Sequence, residues 1–301
     1  MALHDVEVIG GNNFWLYSKT TGYDITHPPT PDAPPIYPRI RVDTTTEPVE
    51  FDPAKTALVV IDLQNYFLSP HLGRPADSPW LKLVDTLLDQ AIPACRKAGI
   101  PVVWLGWGLT DEDIDEMPPT IVKGFAADTN FEGSKRVEKL GSDIGSIRLE
   151  DGSTINAGRV LMKNQWNSDF YCKLKEAAER NDMWLYKNRL SAFWGGTDVE
   201  NTLKSRGIKT LLFAGANLDQ CVGGSLQGAY TQGWDCLLLS DGTATTSPEF
   251  ARKCIEFNTE GGWGFVLTCQ QFVDGVDKMQ MGPVFQGQKS ENAHHADRQG
   301  Y

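Results

Sequence analysis

A cysteine stands where an apolar run gives way to a helix, and a thiol is well suited to nucleophilic chemistry. The run is TLLFAGANLDQCVGGSL at 210–226, in which Cys221 follows a Gly-Ala-Asn turn. A thiol at the N-terminus of a helix lies in the positive end of the helix dipole, which favours the thiolate. We therefore expect Cys221 to be alkylated faster than the other cysteines. The alternative is that Cys221 is a small buried apolar residue, as free cysteines often are.

Two further segments end in charged residues that complement a thiol. TALVVIDLQNYF at 56–67 contains an apolar run that ends at Asp62, and DMWLYKNRLSAFWGGTD at 182–198 contains a shorter run that ends at Lys187. In a parallel α/β sheet the carboxyl ends of the strands line one crevice, where ligands bind. The sequence therefore predicts that Asp62, Lys187 and Cys221 converge, although each segment alone is also typical of a solvated strand end.

The proton acceptor for Cys221 is predicted to be Asp62, because histidines are scarce. The five histidines are at positions 4, 27, 71, 294 and 295. Only His71, in the loop SPHLGRP, lies outside the N-terminal segment and the C-terminal tail, and it is the alternative base for a Cys-His pair. Lys187 supplies positive charge that stabilises both the Asp62 carboxylate and the Cys221 thiolate.

The three segments together resemble the isochorismatase-like family of cysteine hydrolases. The family motifs correspond to VIDLQN at 60–65, KNRLSAF at 187–193 and GANLDQCV at 215–222. Their order and spacing agree with the family, and the resemblance extends over roughly residues 54–270.

This resemblance implies a fold, a catalytic triad and a backbone feature. The fold is a three-layer α/β/α sandwich with a mainly parallel sheet, and the triad of the amidohydrolase branch corresponds to Asp62, Lys187 and Cys221. A cis peptide bond is implied between Ala216 and Asn217. It would direct the Asn217 amide, beside the Cys221 amide, towards a developing oxyanion.

The side chains that flank the three motifs are the candidates for a substrate pocket. Ligand pockets are mostly apolar, with a few polar groups that fix orientation. The candidates are Gln64, Tyr66, Trp107, Trp166, Asn188, Arg189, Phe193 and Trp194. Phe193 and Trp166 are preferred as substrate contacts, against the alternative that both belong to the core.

Cofactors and large partners are not expected. Nicotinamidases of the resembled family carry a metal-binding Asp-x-His, but no D-x-H occurs in this sequence, and neither does a GxGxxG or P-loop pattern. The net charge of −11 without a basic stripe argues against nucleic acid and membrane surfaces. The expected partners are a small-molecule substrate and further copies of the chain, in a dimer or tetramer.

The N-terminus and the cysteines favour a cytoplasmic protein. The first residues have neither a basic start nor an uninterrupted apolar core, so they do not form a classical signal peptide. The chain lacks a run of eighteen apolar residues. The six cysteines show no CxxC spacing, which is typical of reduced thiols.

The chain is predicted to consist of an extended arm at 1–50, rich in proline and threonine, a hydrolase domain at 51–280 and a polar tail at 281–301. Strand–helix alternation predicts a parallel sheet with helices on both faces. An insertion at 108–165, with a hairpin at Asp151-Gly152, is predicted to form a lid or pocket wall. The predicted strands are 56–62, 101–107, 209–215, 234–240, 264–267 and the run ending at Lys187; the predicted helices are 78–99, 168–180, 198–206, 220–232 and 248–258.

The reactive residues and the family resemblance are compatible with three functions. The first is a cysteine hydrolase that cleaves a C–N bond of a small amide, carbamoyl or ureido compound through a thioester on Cys221. The second is isochorismatase-type hydrolysis of a vinyl ether, which in the resembled family typically proceeds without the cysteine. The third is a catalytically silent binding protein on the same fold. The presence of all three reactive residues favours the first.

Overall fold

Strands and helices alternate along the chain, and the structure, a computed structural model, describes residues 6–126 and 139–283. The strands are β1 (Glu7–Gly10), β2 (Phe14–Ser18), β3 (Gly22–Asp24), β4 (Ile40–Val42), β5 (Val49–Phe51), β6 (Thr56–Ile61), β7 (Val102–Trp107), β8 (Ser146–Arg148), β9 (Thr154–Asn156), β10 (Met183–Lys187), β11 (Thr210–Ala216), β12 (Asp235–Ala244) and β13 (Phe265–Leu267). The α-helices are α1 (Asn65–Leu68), α2 (Pro79–Thr86), α3 (Ile92–Ala98), α4 (Asp111–Asp115), α5 (Pro119–Ala126), α6 (Cys172–Glu176), α7 (Val199–Ser205), α8 (Gly223–Thr231), α9 (Glu249–Asn258) and α10 (Cys269–Asp277). None of these described helices has the length and apolar character needed to cross a membrane.

The central sheet has six strands and is parallel throughout. Its order is β10-β7-β6-β11-β12-β13, and every neighbouring pair is parallel. The chain moves outward from β6 through β7 to β10, and then outward on the other side from β11 to β13. The strand order therefore reverses between β6 and β11, and ligands of open parallel sheets bind at such a point.

Apolar side chains cover both faces of this sheet, so its strands read as continuous apolar runs. In β6, Leu58 and Val60 belong to the core on one face, and Val59 and Ile61 belong to the core on the other. Helices α2, α3 and α10 contribute buried residues to the first core, and α7 and α8 contribute to the second. Helices on both faces of a parallel sheet confirm the predicted three-layer sandwich.

The N-terminal segment contains more regular structure than an extended arm. In its described part, β1 to β5 form a second sheet in the order β1-β2-β3-β5-β4. Ile40 and Phe51 are fully buried in the core that α2 and α10 share, and Trp15 packs against Phe265 of β13 with ring centroids 5.7 Å apart. The proline-rich stretch 27–38, which suggested an arm, connects β3 to β4. The domain division itself stays a prediction.

The segment predicted as an insertion, 108–165, contains α4, α5 and a hairpin. Strands β8 and β9 pair antiparallel around the predicted Asp151-Gly152 turn. Residues 127–138 of this segment lie outside the described residues, as does the tail from 284 onward. The predicted polar tail therefore stays a prediction.

Two predicted helices differ from the structure by more than their end residues. The helix predicted at 78–99 consists of α2 and α3, joined by a π-turn at Leu87–Ala91 just before Pro93, which lacks a backbone N–H. The helix predicted at 168–180 is the shorter α6. Phe170 instead pairs with Gln64 as an isolated β-bridge, which keeps the preceding residues out of the helix.

Gly215 allows β11 to approach β6 closely at the point where the strand order reverses. Its φ is +115°, and a Cβ at this position would overlap the backbone of Ile61. Gly215→Ala is therefore expected to lower the free energy of unfolding by about 3 kcal/mol or more in urea denaturation. Gly207→Ala is the matched control, because its φ is +73° but no described atom lies within 4 Å of an added Cβ. Gly207→Ala is expected to lower the free energy of unfolding by about 1 kcal/mol. Equal decreases for both variants would contradict the close approach of β11 to β6.

Candidate active site

Asp62, Lys187 and Cys221 lie together at the carboxyl edge of the central sheet. Asp62 directly follows β6, Lys187 is the last residue of β10, and Cys221 lies in the turn between β11 and α8. Lys187 Nζ lies 3.0 Å from Asp62 Oδ2 and donates a hydrogen bond to Cys221 Sγ at 3.4 Å. The structure thus brings together the three side chains that the sequence places at separate strand ends.

Lys187 is a fully buried cation, with 0% of its surface exposed. Its ammonium lies 3.9 Å from the centroid of the Trp107 ring and donates to the Arg189 carbonyl oxygen at 3.3 Å. Burying an ammonium is unfavourable unless opposite charge or dipoles compensate it. The Asp62 carboxylate, the carbonyl and the face of the Trp107 ring supply this compensation, so the lysine is held between the acid and the thiol.

Asp62 has an unusual backbone conformation and a perturbed carboxyl group. Its φ is +57°, in the left-handed region that residues other than glycine seldom adopt, and its N–H donates to the Leu105 carbonyl at 2.9 Å. Burial raises the pKa of the Asp62 carboxyl above its ordinary value, and Lys187 offsets only part of this rise. A raised pKa makes the carboxylate a stronger proton acceptor, as a catalytic base requires.

Burial and the negative charge of Asp62 favour the neutral form of the Cys221 thiol. Burial, together with the negative charge of Asp62, raises the pKa of the thiol to about 12, and Lys187 offsets only part of the rise. This finding corrects the expectation that the helix N-terminus favours the thiolate, because desolvation outweighs the helix dipole. Cys172 and Cys254 are exposed, so fastest alkylation at Cys221 is no longer expected. A thiolate forms here only when a base takes the proton.

Asp62→Asn is expected to speed alkylation of Cys221 while it slows hydrolysis. The substitution removes the negative charge that raises the pKa of the thiol and leaves the charge of Lys187 to stabilise the thiolate. A lower pKa gives a larger thiolate fraction at neutral pH, and we expect labelling to be roughly tenfold faster. Iodoacetamide labelling, followed by peptide mass spectrometry, measures this rate.

The control for this experiment is Asp85→Asn, since Asp85 forms an exposed ion pair with Lys173. Its labelling rate and turnover are expected to equal those of the unmodified protein. Slower alkylation of Cys221 in Asp62→Asn than in the unmodified protein would contradict the electrostatic account of the site.

The turn between β11 and α8 carries the amides that are predicted to hold an oxyanion. The peptide bond between Ala216 and Asn217 is cis. Trp80 Nε1 donates to Asn217 Oδ1 at 2.8 Å, and Asn217 Nδ2 donates to Gln220 Oε1 at 3.4 Å. Helix α2, through Trp80, therefore fixes a side chain of the turn. The oxyanion role of the Asn217 and Cys221 amides stays a prediction.

Trp80→Phe is expected to lower kcat about tenfold with little change in KM. Phenylalanine keeps an aromatic ring in place but removes the N–H that Asn217 Oδ1 accepts, so the turn loses a fixed orientation. Steady-state kinetics on an amide substrate measure the effect. Trp15→Phe is the matched control, because Trp15 Nε1 donates to Asp235 Oδ1 at 2.8 Å, away from the site. A kcat that is equally reduced in both variants would refute a specific role for Trp80.

A cavity of about 390 Å³ includes Asp62 and Cys221 in its wall. The other polar side chains in its wall are those of Thr120, Asn217 and Gln220. Its large apolar side chains are Phe67, Trp80, Trp107, Ile121, Phe125 and Leu190. Helix α5, from the segment predicted as an insertion, forms one side of this cavity.

Of the eight side chains predicted to form the pocket, Trp107 lines this cavity and the other seven do not. Gln64 is fully buried and hydrogen bonds to both backbone groups of Trp107, with Nε2 to the carbonyl oxygen at 2.7 Å and the amide to Oε1 at 2.9 Å. Tyr66 packs edge-on against Phe67 at 5.0 Å. Trp166 offers its carbonyl oxygen to Asn65 Nδ2. Gln64 and Tyr66 therefore contact the wall residues Trp107 and Phe67 but do not line the cavity themselves.

The four predicted pocket residues that follow Lys187 in the chain do not line the cavity. The side chain of Asn188 donates to Asp113 and accepts from Trp194, and the guanidinium of Arg189 lies over the Trp194 ring. Phe193 is buried against Phe213 and Trp234, so it belongs to the core. Position next to a motif does not determine where a loop side chain points, which is why these assignments differ from the structure.

His71 does not line the cavity, so the alternative Cys-His pair has no support in the geometry. His71 lies in a short turn at Pro70–Leu72 after α1. Within residues 6–126 and 139–283, no group of three or more histidine, cysteine, aspartate or glutamate residues is arranged to hold a metal ion.

Several residues that line the cavity are not indicated by the sequence motifs. They are Phe67, Trp80, Thr120, Ile121, Phe125, Leu190 and Gln220. Two signals were available: Ser78-Pro79 predicts the helix that carries Trp80, and the four-residue spacing of Ile121 and Phe125 fits one face of a helix. Neither signal shows which helix face meets the reactive residues.

The fold and the site define a class of doubly wound α/β proteins with a cysteine at the reversal point of the sheet. The family model for the isochorismatase domain matches residues 56–263. The chain belongs to the isochorismatase family.

Solved structures support the same fold. The chain is similar to a cysteine hydrolase from Pseudomonas syringae pv. phaseolicola 1448A, with a TM-score of 0.58, 15% identity, and coverage of 79% of this chain and 97% of that chain. It is also similar to an isochorismatase family protein from Desulfovibrio vulgaris subsp. vulgaris str. Hildenborough, with a TM-score of 0.54, 18% identity, and coverage of 73% and 97%. At these identities the likeness concerns the fold.

Proposed function

We propose that the protein is a cysteine hydrolase that cleaves a C–N bond of a small amide, carbamoyl or ureido compound. The observation that carries this proposal is the position of Lys187 Nζ, 3.0 Å from Asp62 Oδ2 and 3.4 Å from Cys221 Sγ. A buried acid, a fixed cation and a thiol in the wall of one cavity supply a base, charge stabilisation and a nucleophile.

The first step forms a bond between Cys221 Sγ and the carbonyl carbon of the substrate. The thiol proton passes to the Asp62 carboxylate as the sulfur attacks, and the carbonyl π electrons move to oxygen. The backbone amides of Asn217 and Cys221 are proposed to donate hydrogen bonds to this oxyanion. Because burial and the negative charge of Asp62 raise the pKa of the thiol, the proton must pass to Asp62 before or during the attack.

The second step breaks the C–N bond. The oxyanion re-forms the carbonyl group, and the leaving nitrogen takes the proton from Asp62. Ammonia or an amine departs, and Cys221 carries a thioester. The raised pKa of the Asp62 carboxyl suits this step, because an acid must hold the proton long enough to deliver it.

Water then hydrolyses the thioester. Asp62 accepts a proton from the water while the water oxygen attacks the carbonyl carbon. The C–S bond then breaks, and the sulfur takes the proton back from Asp62. The product departs, as a carboxylic acid from an amide or as a carbamic acid from a carbamoyl or ureido compound, and the site returns to its starting state. Lys187 stabilises negative charge on Asp62 and on sulfur in turn.

Ammonia release from a panel of small amides and ureides tests this proposal. The unmodified protein is expected to release ammonia from at least one member, and Asp62→Asn is expected to release about a hundredfold less. Asp85→Asn, at an exposed ion pair, serves as the control and retains activity. A folded protein that releases no ammonia or amine from any panel member would contradict the proposal.

A further inference from the structure

The wall of the cavity combines reactive polar groups with large apolar side chains. Asp62, Cys221 and Asn217 form the reactive part of the wall. Thr120 and Gln220 are also polar, and the large side chains of the wall are aromatic or aliphatic. Trp107 and Phe125 meet edge to face with ring centroids 5.0 Å apart, so the two rings form one continuous apolar surface. A substrate bound here presents a polar reacting group at one end and an apolar body at the other.

Within the part of the wall that the structure describes, the charge is balanced before a substrate binds. Asp62 is the one charged side chain among the described lining residues, and Lys187 lies against it. A substrate carboxylate would lose its hydration without gaining a cationic partner from the described wall, and it would also meet the negative charge of Asp62. Arg189, the next cation along the chain from Lys187, lies over the Trp194 ring instead.

We propose that the substrate is an uncharged amide with an aromatic or bulky apolar acyl group, which packs against Trp107 and Phe125 while its carbonyl carbon meets Cys221. This inference rests on the proposed function and adds the substrate class to it. Helix α5 sets the preference, because Thr120, Ile121 and Phe125 line the cavity from this one helix. A volume of about 390 Å³ lies at the small end of ligand pockets, which suits a compound of one ring.

Matched amides test the charge preference. Benzamide and 4-carbamoylbenzoate present the same ring and the same amide, and differ by one carboxylate. We expect kcat/KM for ammonia release to be at least about a hundredfold higher for benzamide, and higher for benzamide than for acetamide. Equal or faster turnover of the carboxylate compound would overturn the proposal.

Substitutions on α5 test whether this helix determines the preference for uncharged, apolar substrates. Thr120→Arg introduces a cation at an exposed position of the cavity wall and is expected to raise the relative kcat/KM for 4-carbamoylbenzoate at least about tenfold. Phe125→Ala is expected to reduce the advantage of benzamide over acetamide, and Phe125→Leu to retain most of it. Lys123→Gln is the control, since Lys123 lies on α5 outside the lining, and it leaves both ratios unchanged. Unchanged ratios in Thr120→Arg and Phe125→Ala would overturn the role of α5.

A binding measurement separates this inference from the proposed function. Calorimetric titration of Cys221→Ala with benzamide and with 4-carbamoylbenzoate reports the charge preference without any turnover. Tighter binding of benzamide supports the substrate class even if the unmodified protein hydrolyses neither compound, in which case the proposed chemistry alone fails. Tighter binding of the carboxylate compound refutes the substrate class even if hydrolysis by Cys221 is established.

Discussion

Cys221→Ala is expected to reduce amide hydrolysis by about 10⁴-fold or more, to the limit of detection. The substitution removes the sulfur that forms the thioester, and neither Asp62 nor Lys187 supplies another nucleophile in its place. The fold is expected to be retained, because alanine differs from cysteine only by the loss of the sulfur and fits in the same space. Ammonia release and the thermal unfolding midpoint measure the two effects.

The matched control is Cys236→Ala. Cys236 is also buried, but it lies in β12 and its Sγ contacts the carbonyl oxygens of Leu226 and Trp234. We expect this variant to retain its turnover. Substantial hydrolysis by Cys221→Ala would point to direct attack by water, as in the vinyl ether mechanism, and would contradict a covalent intermediate.

Lys187→Ala is expected to lower the rate by about two orders of magnitude, which corresponds to about 3 kcal/mol of barrier. Loss of the ammonium leaves the buried carboxylate of Asp62 without its partner at 3.0 Å. The pKa of the Asp62 carboxyl and the pKa of the Cys221 thiol both rise further, so the thiolate becomes harder to form. The fold is expected to persist, since Asp62 can take up a proton.

Three further variants make this prediction specific. Lys187→Met keeps most of the side-chain volume without the charge, and is expected to be as slow as Lys187→Ala. Lys187→Arg is expected to recover activity only in part, because a planar guanidinium does not fit a site built for a point charge. Lys97→Ala removes an exposed ion pair with Asp277 at 2.8 Å and is expected to leave the rate unchanged. Near-normal turnover in Lys187→Ala and Lys187→Met would exclude an Asp-Lys-Cys mechanism.

The fold and the position of the reactive residues at one edge of the sheet can be predicted from the sequence. Buried parallel strands are continuous apolar runs, and each run ends where the chain reaches the edge of the sheet. Asp62 and Lys187 mark two such ends, and Cys221 follows a third. Strand–helix alternation therefore predicts that they share one edge of the sheet, whereas the strand order that brings them into contact is seen only in the structure.

The cavity wall could not be predicted in the same way. Ile121 and Phe125 reach the site from a helix inside the segment at 108–165, where no strand-end rule applies. Phe193, preferred as a substrate contact, instead packs on Phe213 and Trp234 in the core. Which face of a helix or loop meets the cavity depends on the packing of the whole chain, and local sequence does not contain that information.

The state of the thiol also depends on long-range structure. The turn around Cys221 resembles the start of a helix, so its local sequence favours a thiolate. The raised pKa comes from burial and from Asp62, which the sequence places in a distant segment. Solvent exclusion at Cys221 appears only once the whole sheet and its covering helices are assembled.

The central claim is that Cys221 carries a covalent acyl group during turnover. The mass of the protein during turnover tests this claim most directly. Under rapid quench with a slowly hydrolysed amide, intact mass spectrometry is expected to show an adduct equal in mass to the acyl group. Peptide mapping should place it on Cys221, and hydroxylamine should remove it, as expected for a thioester. Turnover with no adduct on Cys221 at any time, together with an active Cys221→Ala variant, would contradict the account.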